Sequence, residues 1–277
     1  MSETLSRPEL EEILRFYHEA GLDFAVGDES VDQFAAFAAQ RAASKPAAAA
    51  PALERKSAAP VPRPAAVPDE AALAAAKALA QSCDSIAGLF AALQEFEGCG
   101  LKFTAKSQIF ADGNPLAPVM FISDVPGRED DLEGRLLAAP NGLLFDRMLA
   151  AIGLDRTSAY LGCMIPWRPP GNRAPTAFEI DVCRPFIERH IELAAPKILV
   201  LLGDLPAKTL IPSSDSILRL RGQWRDYTLA EGRTVPALSM LHPAYLMKQP
   251  AQKRLAWADL LALKGGWIEF GRGFSCD

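Results

Sequence analysis

Apolar and polar positions follow two different periods along residues 69–264, and these periods predict helices and strands in turn. Apolar residues recur at helical spacing in residues 70–82, 86–97, 142–152 and 250–264. Short apolar runs typical of buried parallel strands occupy residues 119–122, 159–165, 198–202 and 235–240. Thr176 and Glu179 form a capping-box sequence that opens one more helix, which we expect Pro185 to kink or break. Strands that alternate with helices predict a doubly wound α/β/α sandwich.

The first 68 residues differ from this pattern. Residues 7–21 carry apolar side chains at helical spacing. Residues 44–68 are rich in Ala and Pro, and they cannot bury enough apolar surface to offset the entropy lost on ordering. We therefore expect an N-terminal helical segment at 1–43, a disordered linker at 44–68 and an α/β domain at 69–277. The N-terminal helix is a candidate binding site for a protein partner.

Composition narrows the class of protein. Of 277 residues, 49% are hydrophobic, which is enough for a sizeable core, yet no apolar run is long enough for a membrane span or a signal peptide. Five cysteines, an odd number, fit a reducing compartment better than a disulfide framework. These features predict a cytoplasmic protein without membrane association. The net charge of −5 does not decide whether DNA is bound, because binding depends on local basic patches.

Three segments place Pro, Gly and charged residues directly after predicted strands. They are residues 123–131 (SDVPGREDD), 160–173 (YLGCMIPWRPPGNR) and 241–248 (LHPAYLMK). Because ligands of open parallel sheets bind outside the carboxyl ends of the strands, we expect these segments to form one site. His242 could be an electrophilic catalyst or a structural loop histidine. Asp124 could position water, or it could cap the following turn.

The three segments also occur in a familiar order. Together with FADGNP at 110–115, LLFDRMLAAIGL at 143–154 and ILVLLG at 198–203, they resemble the uracil-DNA glycosylases of the family-4 type over residues 95–264. The resemblance implies a three-layer α/β/α sandwich with a central, mainly parallel four-stranded sheet. It also implies a DNA repair enzyme that flips a damaged base and hydrolyses its N-glycosidic bond. DNA is the implied partner, and we expect a monomer.

The resemblance assigns roles to particular residues. The candidate catalytic residues are Asp124, Asp130 and His242, of which Asp124 would place water or stabilise the sugar cation and His242 would support the base anion. The candidate base-pocket residues are Val125, Leu137 and Cys163. The candidate DNA-binding residues are Pro126, Gly127, Arg168, Asn172, Arg173 and Lys248. The arginines of this last set could contact phosphate or pair with acids of the same chain.

Three of these positions depart from the family's pattern. Asp124 stands where the family has Glu, Leu137 where a Phe stacks on uracil, and Cys163 where an Asn recognises the uracil edge. The missing stack is worth about 1–3 kcal/mol, and a thiol cannot offer the paired donors and acceptor of an amide. We therefore expect altered or weak uracil specificity. The alternatives are a catalytically impaired homologue that binds DNA or lesions, and an α/β domain with no nucleic-acid role.

The resemblance also bears on cofactors. The family often holds a 4Fe–4S cluster through four cysteines, of which Cys99 and Cys183 match two, whereas Lys102 and Trp167 occupy the other two positions. Because two thiolates cannot hold such a cluster, we expect no cofactor and no metal, with Trp167 filling the volume. Among the other residues, we expect His190 to be solvated on its helix. The stripe of Leu255, Trp257, Leu260 and Leu261 is expected to pack in the core.

Overall fold

The computed structural model describes residue 11 and residues 69–271, with the exception of residues 212 and 214. The chain divides into two compact units, Met1–Arg63 and Pro64–Asp277, and the fold below is that of the second unit. The predicted helix at 7–21 and the predicted linker at 44–68 lie outside the described residues. Among residues 69–271, no helix combines the length and the apolar character that crossing a bilayer requires.

A six-stranded mixed sheet forms the centre of the domain. Strands β1 to β6 span Ala111–Gly113, Val119–Ser123, Tyr160–Cys163, Ile198–Leu202, Trp224–Thr228 and Thr234–Met240. Their order across the sheet is β1-β3-β2-β4-β6-β5. The four central strands are parallel, whereas β1 and β5 pair antiparallel at the two edges. The expected parallel four-stranded core is thus confirmed, and two edge strands extend it. Strand β1 was not predicted, because its three residues contain no apolar run.

Helices cover both faces of the sheet. Helices α1 to α9 span Asp69–Gln81, Ile86–Glu95, Arg128–Glu133, Asn141–Ile152, Ala177–Ala194, Asp204–Leu210, Ile217–Leu220, Pro243–Lys248 and Lys253–Gly271. Short 3₁₀ helices occur at Gly100–Phe103, Pro170–Asn172 and Pro250–Gln252. Of the two outcomes expected for Pro185, a kink or a break, the break does not occur, because α5 continues through it. Burial of Val182, Phe186 and Ile187 on either side outweighs the one backbone hydrogen bond that proline removes.

Two hydrophobic clusters lie on opposite faces of the sheet. Successive side chains of a strand point to opposite faces, so Met120 and Ile122 enter the first cluster while Phe121 enters the second. The first cluster is completed by α1, α2, α5 and α6, and the second by α4, α8 and α9. The three-layer α/β/α sandwich is therefore confirmed.

His190 is a core residue, so the expectation of a solvated histidine is wrong. It is 0% exposed, its Nε2 lies 2.7 Å from the Tyr160 hydroxyl, and its ring stacks on Phe110 with the ring centres 4.2 Å apart. Burial lowers the pKa of His190 to about 3, so the ring is neutral. Its charged sequence neighbours suggested solvent, but the ring lies on the opposite, sheet-facing side of α5.

Arg221 and Asp259 form a buried ion pair that ties the chain after α7 to α9. Arg221 Nε donates to Asp259 Oδ2 at 2.9 Å, and its Nη2 donates to the Leu255 carbonyl oxygen at 2.6 Å. The Asp259 side chain is fully buried, and burial raises its pKa to about 6. The carboxylate therefore depends on the guanidinium to remain charged.

Replacing Arg221 should destabilise the domain more at high pH than at low pH. Arg221→Met leaves a buried carboxylate unpaired, which should lower the free energy of unfolding by about 3–5 kcal/mol at about pH 8. The loss should be smaller at about pH 5, where Asp259 can take up a proton. Urea denaturation at both pH values measures it. Arg219→Met, which breaks an exposed pair between α7 and Asp215 in the loop before it, is the control and should cost under about 1 kcal/mol. Equal losses in the two variants would contradict the assignment.

Candidate functional site

The carboxyl ends of the parallel strands bring the three predicted segments together. Ser123, at the end of β2, pairs with Cys163 at the end of β3. His242 follows β6 and reaches past the end of β4, so that its Nε2 lies 2.9 Å from Ser123 Oγ. Cys163 Sγ donates to the carbonyl oxygen of Asp124 at 3.3 Å. Asp124, Cys163 and His242 therefore meet at one edge of the sheet, where an open parallel sheet binds its ligands.

His242 is a neutral hydrogen-bond donor with a fixed tautomer. It is the N-cap of α8, and its Nδ1 accepts the Ala244 N–H at 3.1 Å. The proton of the neutral ring therefore lies on Nε2, which donates to Ser123 Oγ. Burial lowers the pKa of His242 to about 4, so the ring carries no charge near neutral pH. The residue thus caps a helix and also offers an N–H at the site.

Asp124 is a carboxyl group that changes charge near neutral pH. Burial raises its pKa to about 7, the Leu205 N–H opposes this shift in part, and Asp204 adds to it. The carboxyl lies against Gly203, where a Cβ would come within 2.4 Å of it, so only glycine fits there. Its Oδ1 is buried and has no hydrogen-bond partner among the described residues. A carboxyl with this pKa can accept or release a proton at physiological pH.

Asp130 holds two loops of the site in place. Its Oδ2 accepts the Gly127 N–H at 2.8 Å, and its Oδ1 accepts the Ala138 N–H at 2.7 Å. Burial raises the pKa of Asp130, and these two backbone donors oppose the shift. Both oxygens are therefore engaged with the backbone, which gives Asp130 a positioning role and leaves the predicted catalytic role without a supporting contact.

The predicted base-pocket residues do not form one group. Leu137 is 1% exposed and Cys163 is 5% exposed, and both belong to the second hydrophobic cluster. Val125 packs against the first cluster instead, so the structure separates it from the other two. Cys163 Sγ also donates to the Ile165 carbonyl oxygen at 3.0 Å, and burial raises the pKa of its thiol. Cys163 is thus an unreactive buried thiol, as a small core filler would be.

Arg156 is a residue of the site that the sequence analysis missed. Its guanidinium donates to the carbonyl oxygens of Leu136 and Leu137 at 3.0 and 2.8 Å, and to Asp146 Oδ1 at 2.7 Å. It also bonds to Asp112 on β1. Leu137 has a φ of 49°, an uncommon conformation for a residue with a side chain. Arg156 holds the backbone in this conformation, and no sequence motif identifies an arginine that lies 19 residues further along the chain.

The predicted phosphate-binding loop has intramolecular partners. Arg168 Nε donates to Asn172 Oδ1 at 2.7 Å, and Arg173 pairs with both oxygens of Glu179 at 2.8 and 2.6 Å. Arg168 Nη1 also lies 3.8 Å from Asp131 Oδ2, so pairing with an acid of the same chain, one of the two alternatives that the sequence left open, describes Arg168 and, at shorter range, Arg173. A phosphate would have to compete with Glu179 for this guanidinium.

The remaining candidate DNA-binding residues lie at different depths. Pro126 is buried, and Gly127 is the N-cap of α3. Lys248 is exposed at the end of α8, and it has no ion pair among the described residues. Lys248 is therefore the candidate whose charge is most accessible to a strand.

A family model described as the uracil DNA glycosylase superfamily matches residues 110–261, a range that contains all six strands of the sheet. The chain belongs to the uracil-DNA glycosylase superfamily. The matched residues include Asp124, Cys163 and His242, so the converging strand ends lie inside the family region.

Curated proteins of this superfamily are similar to the chain over more than half of its length. A type-4 uracil-DNA glycosylase of Archaeoglobus fulgidus is 32% identical over 157 residues, which cover 55% of this chain and 78% of that protein. A type-4 uracil-DNA glycosylase of Sulfurisphaera tokodaii is 30% identical, with 55% and 71% covered. One of Thermotoga maritima is 29% identical, with 58% and 84% covered. Within the superfamily, the chain is thus similar to the type-4 proteins.

The residues at the expected cluster positions do not fit an iron–sulfur cluster. Cys99 and Cys183 are buried free thiols, and the hydrogen bond between them lowers the pKa of Cys99 and raises that of Cys183. The Lys102 ammonium donates to the Gln94 carbonyl oxygen, and Trp167 is 2% exposed within the first cluster. Two thiols, an ammonium group and an indole cannot replace four thiolates. In the described part of the chain, no group of three or more metal-binding side chains occurs.

Asp124 should make the domain less stable as the pH rises towards neutrality. Its folded pKa of about 7 lies above the ordinary value of 3.8, so the folded state binds the extra proton between these pH values. The free energy of unfolding should therefore fall over this range, and Asp124→Asn should remove that part of the slope. Urea denaturation across the range measures it.

Asp155→Asn is the control for this experiment. Hydrogen bonds from Thr157 and Ser158 lower the pKa of Asp155 to about 2, so its contribution to stability changes only at more acidic pH. A slope that Asp124→Asn leaves intact would contradict the assigned protonation of Asp124.

Proposed function

We propose that the protein hydrolyses the N-glycosidic bond of a damaged base flipped out of DNA, as its type-4 relatives are named for doing with uracil. The supporting observation is the juxtaposition of Asp124 and His242. A carboxyl that ionises near pH 7 and a neutral imidazole with a fixed Nε2–H lie at the same strand edge, where His242 bonds to Ser123, the residue before Asp124. Base excision requires such a pair, one group for water and one for the leaving base.

In the proposed reaction, water adds to the sugar C1′ as the C1′–N bond breaks. The electron pair of that bond leaves with the base, and the Nε2–H of His242 stabilises the resulting anion at a base oxygen. Ionised Asp124 takes the proton that the water loses and later releases it to the base or to solvent. For this step His242 must exchange its hydrogen bond with Ser123 for one with the base.

We also propose that the base preference differs from that of a pocket in which an Asn amide recognises the edge of uracil. Cys163 donates its thiol hydrogen to two backbone carbonyl oxygens, so it offers little to the edge of a base. Leu137 is buried in the second cluster and presents no aromatic face. Discrimination that depends on paired hydrogen bonds should therefore be weak.

Base release should depend on the ionisation of Asp124. Oligonucleotides with uracil, hypoxanthine or xanthine are incubated with the protein, treated with alkali and examined for strand breaks. We expect breaks with at least one base, at a rate that rises with pH to a plateau above about 7. Asp124→Asn should lower the rate and abolish this rise. His242→Ala should lower the rate by about 10²-fold or more at every pH, because the anion loses its donor.

Failure of the protein to release any of the three bases from single- or double-stranded DNA would overturn the proposed reaction. Phe103→Ala, which alters an exposed side chain outside the site, is the control and should release bases at the unaltered rate.

A second candidate function is that of a homologue that binds DNA or lesions without excision. The observation that favours it is the enclosure of Asp124 Oδ1, which is sealed from solvent against the β4–α6 turn. Salt-dependent binding to oligonucleotides that survives His242→Ala, without any abasic product, would select this function.

Restoring an amide at the end of β3 should favour uracil. Cys163→Asn supplies two N–H donors and one acceptor at the strand end, and we expect uracil release to rise by roughly ten-fold or more relative to hypoxanthine. Cys163→Ser, which supplies a single hydroxyl, is the matched control. Leu137→Phe is less suited, because overpacking a filled cluster costs about 1–3 kcal/mol. An unchanged ratio of uracil to hypoxanthine release would contradict the placement of Cys163 beside the base.

Other features of the protein remain proposals. We propose that the domain functions without an iron–sulfur cluster, because Trp167 and Lys102 stand at two of the four ligand positions. A cytoplasmic location, a monomeric state and a protein partner for the N-terminal helix remain predictions from the sequence, as does the division at 1–43, 44–68 and 69–277. These segment boundaries rest on composition and on the spacing of apolar residues.

A further inference from the structure

An apolar groove lies between α4, α8 and α9, beside the site. Leu144, Met148, Leu246 and Leu260 line it, and its volume is about 170 Å³. A cavity of about 150 Å³ in another protein accepts a benzene ring, so this groove has room for one aromatic ring.

Trp257 stands at the groove, and its exposure corrects an expectation from the sequence. It is 46% exposed, and Leu261 of the same stripe is 49% exposed, although both were expected to pack in the core. Leu260 of that stripe is buried as expected. The helical period identified an apolar stripe on α9, but that stripe is wider than the surface that α4 and α8 cover.

The groove carries positive charge without a compensating acid. Arg147 and Lys253 belong to its lining, and no acidic side chain does. Neither cation has an ion pair among the described residues, and Arg254 and Lys248 are exposed nearby in the chain. An aromatic side chain flanked by unpaired cations is the arrangement with which proteins bind an unpaired nucleotide strand.

The groove is within reach of a strand held at the site. Helix α8 begins directly after His242, and its Leu246 lines the groove. Six helical residues rise about 9 Å, which corresponds to about three nucleotides of a strand in duplex geometry. Leu246, four residues after His242, and Trp257 line the same groove, so the groove is an aromatic-lined surface to which a base flanking one held at His242 can extend along α8.

We propose that this groove binds an unpaired base of the DNA strand about three nucleotides from the flipped base. Trp257 stacks on the base, and Arg147 and Lys253 contact the adjoining phosphates. This assignment rests on the proposed action on DNA and adds a second subsite to it. Charge decides in favour of nucleic acid over an apolar peptide, because the lining offers two cations to an anionic ligand.

Binding of an uncleavable probe tests the subsite without any need for turnover. The probe is a fluorescein-labelled single strand with a central tetrahydrofuran abasic analogue and about six nucleotides on each side. Two further probes are shortened, one on the 5′ side and the other on the 3′ side, so that a single nucleotide remains beyond the analogue on that side. Fluorescence anisotropy measures the affinity of the full chain for the long probe. Trp257→Ala should bind this probe about 5- to 150-fold more weakly than the unaltered protein, whereas Trp257→Phe should bind it with near-normal affinity. The loss should vanish with one of the shortened probes, which lacks the base that reaches the groove.

Charge removal provides a second, independent measurement. Arg147→Ala combined with Lys253→Ala should reduce the slope of log affinity against log salt by about 1.4, because two phosphate contacts are lost from a single strand. Phe103→Ala, which truncates another exposed aromatic, and Lys77→Ala on α1 are the matched controls and should bind as the unaltered protein does.

The outcomes separate the subsite from the proposed reaction. Unaltered binding by Trp257→Ala, or an equal loss with all three probes, would overturn the subsite even if bases are released. Binding of an acidic amphipathic helical peptide can be measured in the same way. If Trp257→Ala binds DNA normally but no longer binds this peptide, the groove is a site for a protein partner and the DNA subsite is overturned. Trp257-dependent binding without base release would leave the subsite in place and refute the reaction.

Discussion

The hydrogen bond between Ser123 and His242 joins two strands that are not neighbours in the sheet. Strand β4 lies between β2 and β6, so the bond forms only because all three strands run in parallel and end at one edge. Gly203, at the end of β4, leaves the space that the Asp124 carboxyl occupies. The chemistry of the site therefore depends on the parallel order of the strands, and a slip of one residue would turn every one of these side chains to the other face.

The two proton-handling groups acquire their properties from burial and not from each other. Burial disfavours the charged form of either group, so it raises the pKa of Asp124 to about 7 and lowers that of His242 to about 4. One physical cause thus gives the site a carboxyl that can take up a proton and an imidazole that stays neutral. Asp130 and Arg156 fix the surrounding loops by hydrogen bonds to the backbone. Asp130 accepts from the N–H groups of Gly127 and Ala138, and Arg156 donates to the carbonyl oxygens of Leu136 and Leu137.

Two of the departures from the family's pattern lie where the resemblance predicts recognition of the base. Cys163 and Leu137 are both part of the second cluster, so the substitutions extend the core into the region in which an amide and an aromatic ring are expected. His242 retains the position and the tautomer that leaving-group stabilisation needs. The proposed reaction and the proposed base preference therefore rest on different residues of one site.

Local periodicity was enough to predict the parallel strands, most of the long helices and the convergence of Asp124, Cys163 and His242, because these features depend on the order of apolar runs and on where each run ends. It could not predict partners that come from distant parts of the chain. The burial of His190 beside Tyr160 and the hydrogen bond from Arg156 to the Leu137 carbonyl oxygen follow from how the helices and loops pack on the sheet. The same limit applies to Trp257, since the spacing of apolar residues identifies a helix face but not how much of that face its neighbours cover.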